Sequence, residues 1–362
     1  MITRRALLAS ALPAAGAAGS LDLWAFSDAH VGTDKRRGRD SLAEAIRHAE
    51  SDFPWEIALD MGDMSGGQAL PEDSEGEEIV KQFGALRAHR REDVYDVCGN
   101  HDRSGIDEEK NHWWRKWVDP TGESTRHSGV DARRRRYPVA GTWERYSFTV
   151  GNIVFLMMSD INEPSQRPGR GTLGGNPGGV VSGETFEWWK KQVESNRGKI
   201  IVSAHHYMLK NTTVASGEWE GMRKDDAGNW KGHYHGYYPA GSPRGASYLY
   251  WVDGRPDAQA FERYLQAHPG AIAVWLGGHT HTNPADTFGG KSHIETKWGV
   301  HFINVSALSD FHGRENIAMS RPMTISGDRL RVRCYLHSDR YAKRGWHAPG
   351  ERTLALPRPF QR

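Results

Sequence analysis

Residues that can bind a metal ion follow five separate apolar runs of the chain. The plainest case is Gly99-Asn100-His101-Asp102, which follows the run from Val94 to Cys98. The other groups are Asp28-Ala29-His30, Gly62-Asp63, His205-His206 and Gly278-His279-Thr280-His281. Each run is as short as a buried strand, and α/β folds place their ligands beyond the carboxyl ends of strands. Packing alone does not require Asp, Asn or His at every strand end, so together these groups indicate one functional site.

The spacing within and between these groups suits metal ligation. In an extended segment, residues i and i+2 point to the same side, so Asp28 and His30 can address one ion. Asp63 and Asn100 follow neighbouring strands of a β-α-β-α-β pattern over residues 21–98, which favours a parallel sheet core. Both side chains can therefore reach a site above one edge of that sheet. A mixture of imidazole and carboxylate ligands suits Zn, Fe or Mn better than Ca or Mg.

In type and order, the five groups resemble the motifs of the calcineurin-like metallophosphoesterase superfamily, which includes purple acid phosphatases and cyclic-nucleotide phosphodiesterases. The family pattern is D-x-H, G-D, G-N-H-[DE], a strand-end H and G-H-x-H, and here it extends from Asp28 to His281. The resemblance implies an α/β fold, a sandwich of two mixed β-sheets flanked by helices. It also implies a metal-dependent phosphoesterase, a phosphoric ester hydrolase.

The resemblance implies two divalent metal ions, Mn, Fe or Zn, and seven ligands for them. These are Asp28, His30 and His281 on the first metal, Asn100, His205 and His279 on the second, and Asp63 between the two. A hydroxide that bridges the metals would be the nucleophile, in either a phosphodiesterase or a phosphomonoesterase. At His205-His206, the strand-end position favours His205 as the ligand. His206 would then lie behind the site or contact the substrate.

The two residues after Asn100 are the implied catalytic residues. By resemblance, His101 is the acid that protonates or stabilises the leaving alkoxide, and Asp102 orients His101. A structural hydrogen bond is the alternative role for His101. In purple acid phosphatases, a Tyr three residues after the Asp of Gly-Asp binds ferric iron. Here that position is Gly66, which disfavours an iron–tyrosinate centre.

Length and charge narrow the class of protein. The chain has 362 residues and a formal net charge of +2, from 47 basic and 45 acidic side chains. This near balance argues against a stable nucleic-acid partner, so the expected partner is a small-molecule phosphoester. The predicted organisation is a signal segment over residues 1–20, one domain over residues 21–340 and a C-terminal tail over residues 341–362. The two cysteines, Cys98 and Cys334, are expected to be free buried thiols.

Two segments leave alternatives open. The long insertion at residues 207–255 is rich in aromatic residues, which could stack on a nucleotide-like substrate or only pack as a lid. The run from Arg133 to Arg136 could attract an anionic ester, although such a run is usually a solvated face.

Two rival functions also remain: a non-catalytic metal-binding scaffold on the same fold, and a secreted ligand-binding protein. Loss of ligands would mark a scaffold, and no ligand of the pattern is lost here.

The first 20 residues predict export, to the periplasm or outside the cell. Thr3-Arg4-Arg5-Ala6-Leu7-Leu8 resembles a twin-arginine signal, and the apolar stretch from Ala6 to Ala18 is too short to span a membrane. The mature chain is therefore expected to contain no transmembrane segment. Mass spectrometry of exported material should find a mature protein without this segment. An N-terminus at Met1 would instead mean that Arg4 and Arg5 are a chance pair.

Overall fold

The computed structural model describes the chain except residues 1–18, 37, 67–69, 103, 105–108, 110, 162–178, 218–222, 225–229, 232–247, 253–254, 257–258, 311–315 and 338–342. The predicted signal segment, apart from Gly19 and Ser20, and much of the insertion at 207–255 therefore lie outside the described residues. Among the helices that are described, none has the length and apolar character that a membrane span requires.

The strands form two large mixed sheets. In chain order the strands are β1 Ser20–Phe26, β2 Ile57–Asp60, β3 Val94–Asp96, β4 Ala140–Gly141, β5 Arg145–Val150, β6 Ile153–Met158, β7 Gly179–Val181, β8 Ile200–Ala204, β9 Arg223–Lys224, β10 Trp230–Lys231, β11 Leu249–Val252, β12 Arg255–Pro256, β13 Val274–Gly277, β14 Ile294–Lys297, β15 Val300–Asn304, β16 Met319–Ser326, β17 Arg329–Val332, β18 Tyr335–Leu336, β19 Gly345–Trp346 and β20 Arg352–Ala355. The first sheet has the order β19-β18-β16-β1-β2-β3, and β17 joins β16 to β20. The second has the order β14-β15-β13-β8-β6-β5-β4, and two small sheets join β12-β11-β7 and β10-β9.

Helices cover the outer faces of both sheets. They are α1 Val31–Arg36, α2 Ser41–Asp52, α3 Asp73–Phe83, α4 His112–Trp117, α5 Thr125–Ser128, α6 Gly183–Ser195 and α7 Ala260–Ala267. Strand β1 shows how the layers form, because its side chains alternate between two faces. Leu23 and Ala25 pack towards the second sheet, whereas Trp24 and Phe26 pack against α2, α3 and α4. The predicted sandwich of two mixed sheets flanked by helices is thus confirmed.

Parallel pairing brings the carboxyl ends of the motif-bearing strands together. Strands β1, β2 and β3 are parallel neighbours, and so are β6, β8, β13 and β15. The sequence suggests an antiparallel strand at residues 300–305, but β15 pairs parallel with β13 and antiparallel only with β14. The residues set apart as a C-terminal tail contain β19 and β20, which extend the first sheet. The pattern Arg-Thr-Leu-Ala of β20 has no apolar alternation by which the sequence could reveal this pairing.

The arginine side chains at residues 133–136 contact other residues of the protein. Arg133 pairs with Asp131 through two hydrogen bonds, and Arg134 and Arg136 lie near Glu92 and Glu56. Arg135 is buried, and its guanidinium donates to the carbonyls of Pro120, Glu92 and Val94. Both cysteines, Cys98 and Cys334, are free and buried, as predicted.

Within this run, Arg135 should matter for stability and Arg133 should not. Arg135→Ala removes four hydrogen bonds and leaves buried carbonyls unpaired, so the free energy of unfolding should fall by about 3 kcal/mol or more. Arg133→Ala is the matched control, because its exposed ion pair with Asp131 is screened by solvent and should contribute little to the free energy of unfolding. Urea unfolding of both variants measures the difference, and equal losses would contradict the structural role of Arg135.

Candidate metal centre

Asp28, His30 and His281 converge in what we call the first group. Nε2 of His281 lies 2.8 Å from Oδ1 of Asp28 and 3.0 Å from Nε2 of His30. Nε2 of His30 lies 3.5 Å from the same Asp28 oxygen, and all three side chains are buried. Ligand bonds of roughly 2 Å from one ion place ligand atoms about 3 Å apart, so this spacing suits a single metal.

Asp63, His206 and His279 form the second group, whose ligand atoms all lie within 4.8 Å of one another. Oδ2 of Asp63 lies 3.2 Å from Nε2 of His206 and 3.9 Å from Nε2 of His30. Asp63 therefore stands between the two groups. Oδ1 of Asn100 lies 3.1 Å from Nε2 of His206, which brings this amide to the second group as well.

Backbone carbonyls set the tautomer of one histidine in each group. Nδ1 of His30 donates to the Ser65 carbonyl at 2.8 Å, and Nδ1 of His206 donates to the Met61 carbonyl at 2.6 Å. A carbonyl only accepts, so Nδ1 keeps its proton in both rings. When either ring is neutral, its lone pair is therefore on Nε2, the atom that faces the group. Metal-binding histidines commonly have their second nitrogen held in this way. The donor set and its orientation therefore fit divalent metal ions.

The two carboxylates are held by backbone amides. Oδ2 of Asp28 accepts from the His279 amide at 2.9 Å, and Oδ1 of Asp63 accepts from the His101 amide at 2.7 Å. Each carboxylate thus has one oxygen fixed by the backbone and the other turned into its group. Burial raises the pKa of Asp28, but the nearby His281 and His206 outweigh it and hold this pKa well below its usual range.

Electrostatics distinguish the two consecutive histidines. Burial lowers the pKa of His206, but Asp63 and Asp28 outweigh burial and raise it to about 10. Burial lowers the pKa of His205 to about 3, with a further contribution from the charge of His206. Metal binding at His206 would have to displace its proton, because only the deprotonated Nε2 can act as a ligand.

The backbone is left-handed at five positions of the two groups. The φ angles are 54° at Asp28, 41° at His30, 58° at Asp63, 69° at His279 and 40° at His281. The expectation of an extended Asp28-Ala29-His30 segment is therefore wrong, and these two side chains converge through turns instead. Each such residue costs on the order of 1–2 kcal/mol, and strain of this kind concentrates at functional sites. Hydrogen bonds from the Asp28 and His30 amides to the Gly62 and Asp63 carbonyls hold the segment in place.

The glycines of the motifs allow the loops to touch. A Cβ atom on Gly99 would lie 2.2 Å from Oδ1 of Asp63, and one on Gly278 would lie 2.1 Å from Oγ of Ser27. Gly62 has a φ of 95°, and a Cβ there would strike the Gly99 amide at 2.5 Å. Any side chain at these positions would separate the loops that carry the two groups.

Asp102 holds the backbone of two loops together. Its carboxylate accepts from the amides of Asp63, Ser65 and Gly99, at 2.9, 2.9 and 3.0 Å. Burial, with a contribution from the charge of Asp63, raises the pKa of Asp102 to about 7. The sequence indicated only a role in orienting His101, and this clamp between loops was missed. The ring of His101 stands edge-on to that of His30, with centroids 5.0 Å apart.

Of the predicted ligands, His205 lies outside both groups, and His206 occupies the place expected for it. Nδ1 of His205 accepts from the Tyr207 amide at 3.0 Å. The reason is the alternation of β8: Ile200, Val202 and Ala204 face the other sheet, where the groups lie, and His206 continues that face. The alternation of side chains along β8 could have identified the face that continues into the site. However, every residue from Ile200 to Val202 is apolar, so the sequence did not reveal which face meets the other sheet.

Comparisons with known proteins extend the fold assignment. No family model matches the sequence, and no curated protein matches it either. A dimetal phosphatase from Danio rerio is similar in structure, with a TM-score of 0.51 and 11% identity over 93% of this chain and 99% of that chain. The fold is therefore that of the calcineurin-like metallophosphoesterases.

Two other solved structures are similar at lower scores. One is a predicted phosphoesterase from Streptococcus pneumoniae TIGR4, with 11% identity, a TM-score of 0.35, and 93% and 98% of the two chains covered. The other is GAP50, the anchor in the inner membrane complex of Plasmodium, with 11% identity, a TM-score of 0.47, and 95% and 90% covered.

Single substitutions of His205 and His206 should show which of the two histidines binds a metal ion. His206→Asn removes Nε2 from the second group, so the protein should lose about one metal ion per chain after dialysis, or bind it 10-fold to 100-fold more weakly. His205→Asn should keep its full metal content, because an Asn oxygen can still accept from the Tyr207 amide. Elemental analysis of both variants decides, and metal loss confined to His205→Asn would restore His205 as the ligand.

Proposed function

We propose that this protein hydrolyses phosphoesters with two divalent metal ions, Mn, Fe or Zn. The observation that carries the proposal is the pair of buried groups described above, which share the carboxylate of Asp63. The fold, which resembles that of a dimetal phosphatase, is consistent with it. When bound, the ions would act as Lewis acids that activate water and neutralise charge on the phosphoryl oxygens.

The proposed ligand sets follow from the distances. Asp28, His30 and His281 would hold the first ion. Asp63, His206 and His279 would hold the second, with Asn100 beside them, and Asp63 would also reach the first. This assignment exchanges His205 for His206 and otherwise keeps the ligands expected from the sequence. Because neither group lacks a ligand, this assignment favours an enzyme over a non-catalytic scaffold.

His101 is the proposed acid for the leaving group. Its backbone amide fixes Asp63, while its ring lies beside His30 and outside both groups. The imidazole can therefore face a substrate from the rim of the first group and give a proton to a departing alkoxide. Asp102 supports it indirectly, because it fixes the loop on which His101 lies.

The proposed substrate is a small-molecule phosphoester, a diester or a monoester, and the proposed location is outside the cytoplasm. Removal of a signal segment is compatible with the fold only when it leaves β1 intact, because Ser20 already pairs with Ser326. Cleavage is therefore proposed before Ser20.

A panel assay of metal-reconstituted protein tests the proposed function. Purified protein is loaded with Mn, Fe or Zn and assayed on monoesters, diesters and cyclic nucleotides. We expect metal-dependent turnover of at least one class, and loss of both metal and turnover in Asp63→Asn, because that carboxylate belongs to both groups. A protein that binds two ions per chain and hydrolyses none of these esters would instead be a metal-binding scaffold.

His101→Ala should differ in kind from Asp63→Asn. The variant should keep both metals yet lose roughly 100-fold to 10,000-fold in kcat, because a general acid contributes about that much. The loss should be largest for esters with basic leaving groups and smaller for nitrophenyl esters, whose leaving group departs as a stable anion. Metal content and turnover on both ester types are the measurements, and metal loss in His101→Ala would make His101 a structural residue.

A further inference from the structure

Arg321 is a buried cation between the two sheets. It lies on β16 opposite Ala25 of β1, so its side chain shares the face of Ala25, which packs towards the second sheet. Met323 and Ile325 continue the same row and belong to that core. Arg321 itself is 1% exposed. Its positive charge therefore lies at the end of an apolar interior.

The guanidinium of Arg321 is almost without protein partners. Across the described part of the chain it makes one hydrogen bond, from Nη1 to the Gly350 carbonyl at 3.2 Å, and its buried Nε has no acceptor. Arg135 gives the contrast, since its equally buried guanidinium makes four hydrogen bonds to carbonyls. An arginine cannot lose its charge, and a buried charge without partners is strongly unfavourable. Arg321 therefore needs an acceptor beyond those that the described residues supply.

The free edge of Arg321 has the geometry for an oxyanion. With Nη1 directed at Gly350, the Nε and Nη2 atoms remain, and they present two parallel N–H donors. Arg133 of this same protein uses that edge to hold the Asp131 carboxylate, with Nε at 2.9 Å and Nη2 at 2.8 Å. Planar two-point contact of this kind suits carboxylate and phosphate groups.

Arg321 lies next to two histidines, His293 and His347. A Cβ atom on Gly350 would lie 3.2 Å from Nη1 of Arg321 and 3.3 Å from the ring of His347, so both groups meet beneath the same turn. Burial lowers the pKa of His293, and the charges of Arg321 and His347 lower it further. Burial also lowers the pKa of His347, with Arg321 as the second cause. In the described part of the chain, no acidic side chain offsets this charge at either histidine.

We propose that the Nε and Nη2 edge of Arg321 binds a small oxyanion beneath the turn at His347–Gly350. Neither Arg321 nor His347 belongs to the first or second group, and the proposal does not depend on the proposed hydrolysis. His347, beneath the same turn, is only partly buried. The bound anion supplies the charge and the acceptors that Arg321 lacks.

Thermal unfolding with added inorganic phosphate tests the site. The wild-type Tm should rise saturably, by roughly 1–3 °C more than that of Arg321→Met at about ten times the Kd. Chloride at matched ionic strength should not reproduce this difference, because it cannot make the two-point contact. Phosphate bound at the metals stabilises both proteins alike and cancels in the comparison. Arg133→Met is the matched control, since its arginine is exposed and already paired, and it should respond as the wild type does.

A second measurement does not depend on the variant's ability to fold. Crystals of the wild-type protein soaked in selenate should show an anomalous peak within hydrogen-bond distance of both Nε and Nη2 of Arg321. Equal phosphate responses of wild type and Arg321→Met, or soaked crystals without that peak, would overturn the proposal. Neither readout involves turnover, so failure of this site and failure of the proposed hydrolysis are distinguishable.

Discussion

The close contact between the loop at Gly62–Asp63 and the loop at Gly99–Asp102 is the constraint on which the candidate centre depends. Asp102 fixes it by accepting amides from both loops, and two glycines make it sterically feasible. Because the loops touch, the His101 amide can reach Asp63 and turn the other carboxylate oxygen inwards. The same stretch of chain also supplies the carbonyls of Met61 and Ser65, which orient one histidine in each group. The loop at residues 61–65 thus provides the shared carboxylate of Asp63. Its carbonyls also turn Nε2 of one histidine into each group.

Most of the fold could be predicted from the strand-end groups, because apolar runs that end in polar turns are recognisable in the local sequence. Five of the expected ligands fall into the two groups for the same reason. The choice between His205 and His206 could not be made locally, since it depends on which face of β8 meets the other sheet, and the first three residues of that strand are all apolar. The left-handed backbone at Asp28 and His30 is set by hydrogen bonds to residues more than 30 positions away, and neither residue type announces it.

Arginines in this protein show how little a charge pattern says about function without knowledge of its partners. Arg133 and Arg135 lie two positions apart in one run, yet one forms an exposed ion pair and the other pins buried carbonyls. Arg321 is buried in the core and makes a single hydrogen bond within the described part of the chain. What separates them is the number of acceptors within reach, which only the three-dimensional structure reveals.

The pairing of β1 with β16 has a consequence for the order of folding. Ser20 and Ser326 are direct partners, and the contact between Asp28 and His281 spans 253 residues. Contacts of such long sequence separation form late and slowly, because a large loop must close before they stabilise anything. During synthesis, β1 cannot pair with β16 until the residues up to Ser326 have emerged from the ribosome. The first group is therefore incomplete until His281 has been synthesised, so a shorter nascent chain lacks one of its three members.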